Sequence, residues 1–317
     1  MTDTSATAYP VTLVVLGADG RLGHAVLREA AARGLRAVAV TRSGTLRRPV
    51  EGVAIRGADG LDRDALNAAC AGADAIFNGL NPPYTAWERE ALPMARNVVG
   101  AARASGALHL FPGNLYPLGD ALAPRTLPGA PHEPVERKGR VRAEMEAMFA
   151  AERANGVRTT VLRAGDFFGG SIPGSWFDLS VAAKVDRGAM TYPGPTDLPH
   201  AWAYLPDLAR AFVALAERAG DDVPGELLFP GHAPTGAELH AALERVTGRR
   251  LTLGAVPWPM LCLMGLVRPM MREVAAMRWL WRRPHALDGA ALEAAIGPIP
   301  HTPLDGALRA SLAAMGR

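Results

Sequence analysis

Val11-Thr12-Leu13-Val14-Val15-Leu16-Gly17-Ala18-Asp19-Gly20-Arg21-Leu22-Gly23 is the stretch that decides the fold. Six β-prone, mostly apolar residues run into three glycines spaced G-x-x-G-x-x-G, and a helix-forming segment follows. The pattern predicts a buried strand, a tight turn and a helix start. Glycine has no Cβ, so it accepts positive φ and lets a diphosphate come close to the backbone. The N–H groups of the first helical turn then face the anion, aided by the helix dipole. Set between a strand and a helix, the triplet predicts a dinucleotide site, with Gly17, Asp19, Gly20, Arg21, Leu22 and Gly23 around the pyrophosphate. The competing reading is a tight strand–helix turn that holds no ligand.

The next strand is predicted at Arg36–Val40, followed by Thr41-Arg42-Ser43. Arg42 stands 19 residues beyond Gly23, where NAD binders usually carry an acid for the ribose 2′-hydroxyl. A guanidinium flanked by two hydroxyls suits a 2′-phosphate instead. Thr41, Arg42 and Ser43 therefore predict NADP, with NAD the weaker candidate. The alternative is a solvated surface arginine.

Strand and helix patterns alternate from there. Strands are predicted at Val53–Arg56, Ala73–Asn78, Ala107–Phe111 and Thr159–Arg163, with helices at Asp62–Ala71, Trp87–Ser105 and Glu133–Asn155. This order predicts an α/β fold: a Rossmann-type doubly wound parallel sheet. The remainder is irregular and rich in Gly and Pro, with helices predicted at Pro206–Ala219 and Thr235–Thr247 and a strand at Glu226–Phe229. Thr235 and Glu238 are spaced as a capping box. Residues 1–165 are read as the nucleotide-binding domain and 166–317 as a smaller substrate-binding lobe, with 203–232 returning to the Rossmann core.

The chain has 317 residues, 49% of them hydrophobic, and a net charge of only +3, which gives no nucleic-acid footprint. The two cysteines, Cys70 and Cys262, form neither a disulfide framework nor a metal-ligand spacing, and the histidines show no metal pattern, so no metal is expected and a reduced, cytoplasmic setting fits. Met1 to Pro10 lacks the features of a signal peptide and is read as a floppy lead-in. Leu251 to Val267 carries no charge but is interrupted by Pro257 and Pro259, too short a run to span a bilayer. It is read as a buried helix or substrate lid in preference to an interfacial anchor, so no integral membrane segment is expected. Trp176, Trp202, Trp258, Trp279 and Trp281, with Met260, Met264, Met270, Met271 and Met277, suggest an apolar pocket, a core or a homodimer surface.

With these motifs in place, the chain resembles the short-chain dehydrogenase/reductase superfamily over nearly its whole length. It is most similar to the extended and atypical members of the epimerase/dehydratase and NAD(P)H-binding type. Gly17, Gly20 and Gly23 match the nucleotide loop. The resemblance implies that Asp59, after the third strand, contacts adenine, and that Asn78, Gly79, Leu80 and Asn81, after the fourth, line the cofactor. Phe111-Pro112-Gly113-Asn114-Leu115-Tyr116-Pro117-Leu118-Gly119 resembles the segment that usually carries a catalytic Ser or Thr. Leu162–Gly169 and His200–Asp207 also resemble family segments.

The catalytic residues depart from that family. The usual acid–base pair is Tyr-x-x-x-Lys, yet none of the tyrosines here has a lysine four residues on, and the corresponding helix positions hold Lys138 and Arg142. The Ser/Thr position reads Pro112-Gly113-Asn114. Glu136-Arg137-Lys138-Gly139-Arg140-Val141-Arg142 looks like the helix of isoflavone- and pinoresinol-reductase-type members, which implies Lys138 as general acid/base. Burial beside Arg140 and Arg142 would lower its pKa; the alternative is a solvated lysine. Tyr116 is a second candidate, to orient or protonate substrate or simply to pack. Asn114 is a third, to polarise a carbonyl or to shape a turn. The expected partner is a small to medium carbonyl or hydroxyl compound and the expected activity an NADP(H)-dependent oxidoreduction. A nucleotide-sugar epimerase or dehydratase, and a non-catalytic NADP-binding sensor, remain the alternatives.

Overall fold

All five residues of β1 (Thr12–Leu16) are buried, as a parallel strand covered on both faces must be. The alternation continues with α1 (Arg21–Ala32), β2 (Arg36–Thr41), β3 (Ala54–Gly57), α2 (Arg63–Cys70), β4 (Ala75–Asn78), α3 (Trp87–Ser105), β5 (Leu108–Gly113), α4 (Arg137–Ala154) and β6 (Thr159–Arg163). Beyond it come β7 (Asp166–Phe168), β8 (Ala189–Tyr192), β9 (Trp202–Tyr204), α5 (Leu205–Glu217) and β10 (Glu226–Leu228). Then follow α6 (Gly236–Thr247), β11 (Thr252–Ala255), α7 (Trp258–Gly265), α8 (Pro269–Ala276), α9 (Ala290–Ile296) and α10 (Leu304–Ala314). This computed structural model describes residues 10–317, so the expectation for the lead-in before Pro10 lies outside the described residues.

The main sheet has seven strands in the order β10-β6-β5-β4-β1-β2-β3, and every pairing is parallel. α1 and α5 pack on one face, and α2, α3 and α4 on the other. The strand order reverses between β1 and β4. The helices that follow β1 and β4 lie on opposite faces of the sheet, which leaves a crevice at the carboxyl edge, the usual ligand position in such sheets. A third core, built on Phe168, Phe177, Tyr192, Trp202 and Trp281, lies under the short paired strands β7–β9 and β8–β11.

The helix expected over Glu133–Asn155 starts later, at Arg137. The Glu136 carboxylate accepts hydrogen bonds from the Lys138 and Gly139 N–H groups (2.8 and 2.9 Å), so Glu136 is the cap and not a helical residue. The capping box at α6 forms as spaced, Thr235 and Glu238 each closing on the other's backbone. Leu251–Val267 is not a buried helix. Pro257 and Pro259 split it into β11 and α7, and of α7 only Trp258 and Gly265 are buried. The tryptophans divide as well: Trp202, Trp258 and Trp281 are core, whereas Trp176 and Trp279 are half-buried.

One ion cluster ties the sheet to α4. The Arg163 guanidinium, wholly buried at the end of β6, meets Glu146 of α4 and Glu226 of β10 at 2.5 and 2.7 Å. It also donates to the Asn114 carbonyl beyond β5. Burial pushes the Glu146 carboxyl up, but Arg163 and His132 outweigh this and hold it below the usual carboxylate range. Its stabilisation is therefore complete above the unfolded carboxylate pKa and lost as pH falls through the lower folded value. Glu146→Gln is expected to destabilise the fold by on the order of 3 kcal/mol, because it strands much of a buried charge. Urea titrations at neutral and acidic pH should show that this difference narrows on acidification.

Candidate active site

The nucleotide loop is in backbone contact with the exit of β4. Gly17 has φ +70°, and a Cβ there would lie 2.5 Å from the Gly79 carbonyl oxygen, so only glycine fits. A Cβ on Gly23 would lie 2.3 Å from the Gly17 oxygen, which explains the third glycine of the motif. Gly20 is exposed at the start of α1, which has no side-chain cap. The first N–H groups of that helix are thus left for an external anion. An uncapped helix start behind an exposed glycine is a cradle that fits a diphosphate. Leu22 packs into the core behind it.

The neighbouring side chains are shared between cradle and scaffold. Asp19 accepts from the Arg47 N–H at 2.9 Å and pairs with the Arg47 guanidinium at 3.5 Å, fastening the loop to the segment after β2. Arg42 and Ser43 are exposed at the exit of β2, with Arg47 and Arg48 exposed close behind. Thr41 is buried and donates to the Thr45 carbonyl at 2.9 Å. The edge where an adenosine ribose would rest is therefore cationic. Asp59 accepts from the Leu61 N–H at 2.9 Å and shapes the turn after β3.

The Arg21 side chain crosses to the segment after β7. It donates to the carbonyls of Ile172 and Gly169 at 2.7 and 3.2 Å and pairs with Asp178 at 3.2 Å, so it ties that segment to the cradle. Burial lowers its pKa and Asp178 opposes that. Asn78 is buried too. Its amide meets His109 Nε2 at 3.2 Å, and its oxygen accepts from the Leu80 N–H at 3.3 Å. Burial drives His109 down to about 3, so the ring is neutral there. What β4 presents at the crevice is Gly79, half-buried Leu80 and exposed Asn81.

Lys138 lies beside Tyr116. α4 approaches the loop after β5 so closely that a Cβ on Gly139 would be 2.5 Å from the Tyr116 carbonyl oxygen. The Lys138 ammonium sits 6.0 Å from the centre of the Tyr116 ring and donates to the Glu273 carbonyl of α8 at 2.8 Å. The Glu273 carboxylate is 3.6 Å away. Lys138 is 2% exposed, so it is not the solvated surface lysine of the alternative reading. Burial lowers its pKa, while Glu136 and Glu273 pull the other way. The depressing influence is thus desolvation, where Arg140 and Arg142 had been expected to contribute. Asn114 accepts from the Tyr116 N–H at 3.1 Å, which sets the turn that presents the ring.

Arg142 was not among the expected site residues. One turn beyond Lys138, its guanidinium lies against the Trp87 and Phe111 rings, 4.9 and 4.8 Å from their centres, and donates to the Pro112 carbonyl at 3.3 Å. It places a permanent cation at the exit of β5. Its i, i+4 offset from Lys138, matching the tyrosine–lysine offset, was the available signal. Glu273 carried none, because nothing local in the sequence says that α8 folds over α4.

The NAD(P)H-binding family model matches residues 17–173. Among solved structures, a UDP-glucuronic acid 4-epimerase from Bacillus cereus in complex with NAD is 13% identical, with TM-score 0.74 over 96% of this chain and 99% of that one. The enzyme WbmH of Bordetella bronchiseptica, in complex with NAD+, is 15% identical (TM-score 0.72; 97% and 98% covered). A UDP-galactose 4-epimerase is 17% identical (TM-score 0.72; 96% and 99%). At these identities the likeness is one of fold, and it extends over nearly the whole chain. The comparison with curated proteins finds no match.

Lys138 and Lys184 are the only lysines, so lysine side-chain NMR yields two signals and Lys138→Met identifies its own. That signal is expected to titrate below the ordinary lysine value of about 10.4. Titration at that value would remove Lys138 as a proton carrier near neutral pH.

Proposed function

We propose, supported by the match of residues 17–173 to the NAD(P)H-binding family model, that the protein is an NADP(H)-dependent oxidoreductase of the short-chain dehydrogenase/reductase type. Its substrate is a small to medium, partly apolar carbonyl or hydroxyl compound, and Lys138 is the general acid/base. The observation that carries this reading is the burial of Lys138 beside Tyr116 at the carboxyl edge of the sheet, with its pKa lowered by desolvation. When bound, the nicotinamide nucleotide supplies or accepts the hydride.

The chain's own residues do the rest. The loop Gly17–Gly23 and the start of α1 hold the diphosphate. Arg42, with Thr41 and Ser43, receives the 2′-phosphate and thereby favours NADP over NAD. Gly79, Leu80 and Asn81 border the nicotinamide half, and Arg142 offers a fixed cation to the sugar–phosphate. Lys138 exchanges a proton with the substrate oxygen, and Tyr116 orients that oxygen. Asn114 acts through Tyr116 by setting its turn. The walls supplied by Tyr116, Trp176 and Trp279, which pack in one apolar cluster, suit an apolar substrate body. The nucleotide-sugar epimerase or dehydratase reading is supported by shared fold.

NADPH oxidation measured against a panel of carbonyl compounds is expected to show turnover that Lys138→Met lowers by about 10²-fold or more, with NADPH affinity little changed. Tight NADPH binding without turnover on any of them would instead favour a non-catalytic NADP-binding sensor. Arg42→Ala is expected to weaken NADPH binding by at least about tenfold, the loss of one charged hydrogen bond, and to leave NADH binding nearly unaltered. Equal effects on the two nucleotides, or tighter binding of NADH by the unmodified protein, would refute the role given to Arg42.

A further inference from the structure

α7 and α8 form a helical hairpin whose outer side is apolar and uncovered. At its tip Leu266 and Val267 are 79% and 81% exposed, and Leu263 on α7 is 68% exposed. Met260 on α7 and Met270 on α8 are exposed as well. The hairpin is firmly built. The two helices pack together, and a Cβ on Gly265 would lie 3.0 Å from the Arg272 backbone, so the tip is a fixed projection. A soluble surface rarely keeps so many large apolar side chains together without a use for them.

The charge around the hairpin is one-sided. Between Gly248 and Pro284 the sequence carries seven arginines and one acid, Glu273, in a chain whose total net charge is only +3. Arg250 pairs with Glu244 and Arg283 with Asp120, whereas Arg268, Arg272 and Arg282 are exposed, and Arg268 directly follows the tip. Glu273 is turned inward, with its carboxylate and carbonyl both at Lys138. Among the described residues no helix is long and apolar enough to cross a membrane. An apolar tip with the exposed Arg268 and Arg272 beside it, on a helix pair too short to span, has the chemistry of a monotopic anchor on anionic lipid.

We infer that the α7–α8 hairpin docks the protein on the surface of an anionic lipid bilayer. Leu263, Leu266 and Val267 enter the acyl boundary, and the arginines meet the headgroup phosphates. The same hairpin covers Lys138 through Glu273, so the cover of the site and the lipid contact belong to one short element. That arrangement fits a carbonyl substrate dissolved in the leaflet. This last consequence rests on the redox reading above; the docking does not.

The test is flotation of the full chain with vesicles of phosphatidylcholine alone or mixed with phosphatidylglycerol, alongside light scattering for oligomeric state and NADPH titration as a folding control. Expected is partition onto the anionic vesicles, weakened by salt, and little onto the neutral ones. The variant Leu263→Asp with Val267→Asp should lose at least about tenfold in partition, since it takes two apolar side chains away from the acyl boundary, and should keep NADPH binding. Arg268→Glu with Arg272→Glu should lose the preference for anionic lipid. Absence of partition onto either vesicle overturns the inference. So does a dimer that the aspartate variant converts to monomer without any vesicle binding, which would make the patch a contact between copies. NADPH binding separates these results from failure of the redox reading: a chain that floats but binds no nucleotide keeps the docking and loses the enzyme.

Discussion

Backbone contact between the nucleotide loop and the end of β4 is the constraint on which the site depends. At Gly17 and Gly79 two strand exits touch with no side chain between them, so the crevice at the sheet's reversal point begins as a fixed groove. Nothing flexible sets the height of the α1 N-terminus above the sheet. The uncapped N–H groups, the cationic exit of β2 and the end of β5 therefore stand in a geometry determined by strand register. The segment after β7 is referred to the same groove, because Arg21, the residue after the middle glycine, reaches the carbonyls of Gly169 and Ile172 and the Asp178 carboxylate.

A comparable close approach governs the other half of the site. Gly139 lets α4 rest on the backbone of Tyr116, and the buried Arg163 cluster grips both α4, through Glu146, and the Asn114 carbonyl. Lys138 and Tyr116 are thus held from behind by groups that do not touch the crevice. The cost of burying the Lys138 ammonium is met in part by a carbonyl, with the Glu273 carboxylate at 3.6 Å. A short, well-aligned ion pair would have kept the proton on the amine, whereas a carbonyl bond and a looser carboxylate leave desolvation dominant.

How much of this was legible in the sequence follows from the range of the forces involved. β1, α3 and β6 could be placed because glycine spacing, apolar runs and helix stops act locally, and the topology followed from strict alternation. Lys138 and Tyr116 could be named as candidates, but their meeting depends on Gly139, whose role is visible only once α4 lies against the β5 loop. Arg21 and Asn78 sit in motif positions that imply ligand contact, yet their side chains serve the scaffold; a motif fixes where a backbone runs more firmly than where a long side chain turns. From its lack of charge and its short, proline-interrupted apolar run, Leu251–Val267 reads as a buried helix or substrate lid. Its prolines divided it into a strand and a helix too short to bury themselves against the body, so apolar content did not translate into burial.

The exchange of Tyr-x-x-x-Lys for Lys138 and Arg142 is coherent as a pair. A phenol and an ammonium both lose their proton near pH 10 when free in water, so either needs a shift of roughly 3 units to work near neutrality. A phenol is charged when deprotonated, and a neighbouring cation lowers its pKa directly. An ammonium is charged when protonated, so burial alone lowers its pKa, and a neighbouring cation is compatible with that shift. A second lysine at position 142 would titrate in the same range and share the proton. Arginine stays protonated throughout, and its planar group tolerates the slot between Trp87 and Phe111 that a compact ammonium would fill poorly. With Arg142 permanently charged, the proposed reaction assigns the moving proton to Lys138.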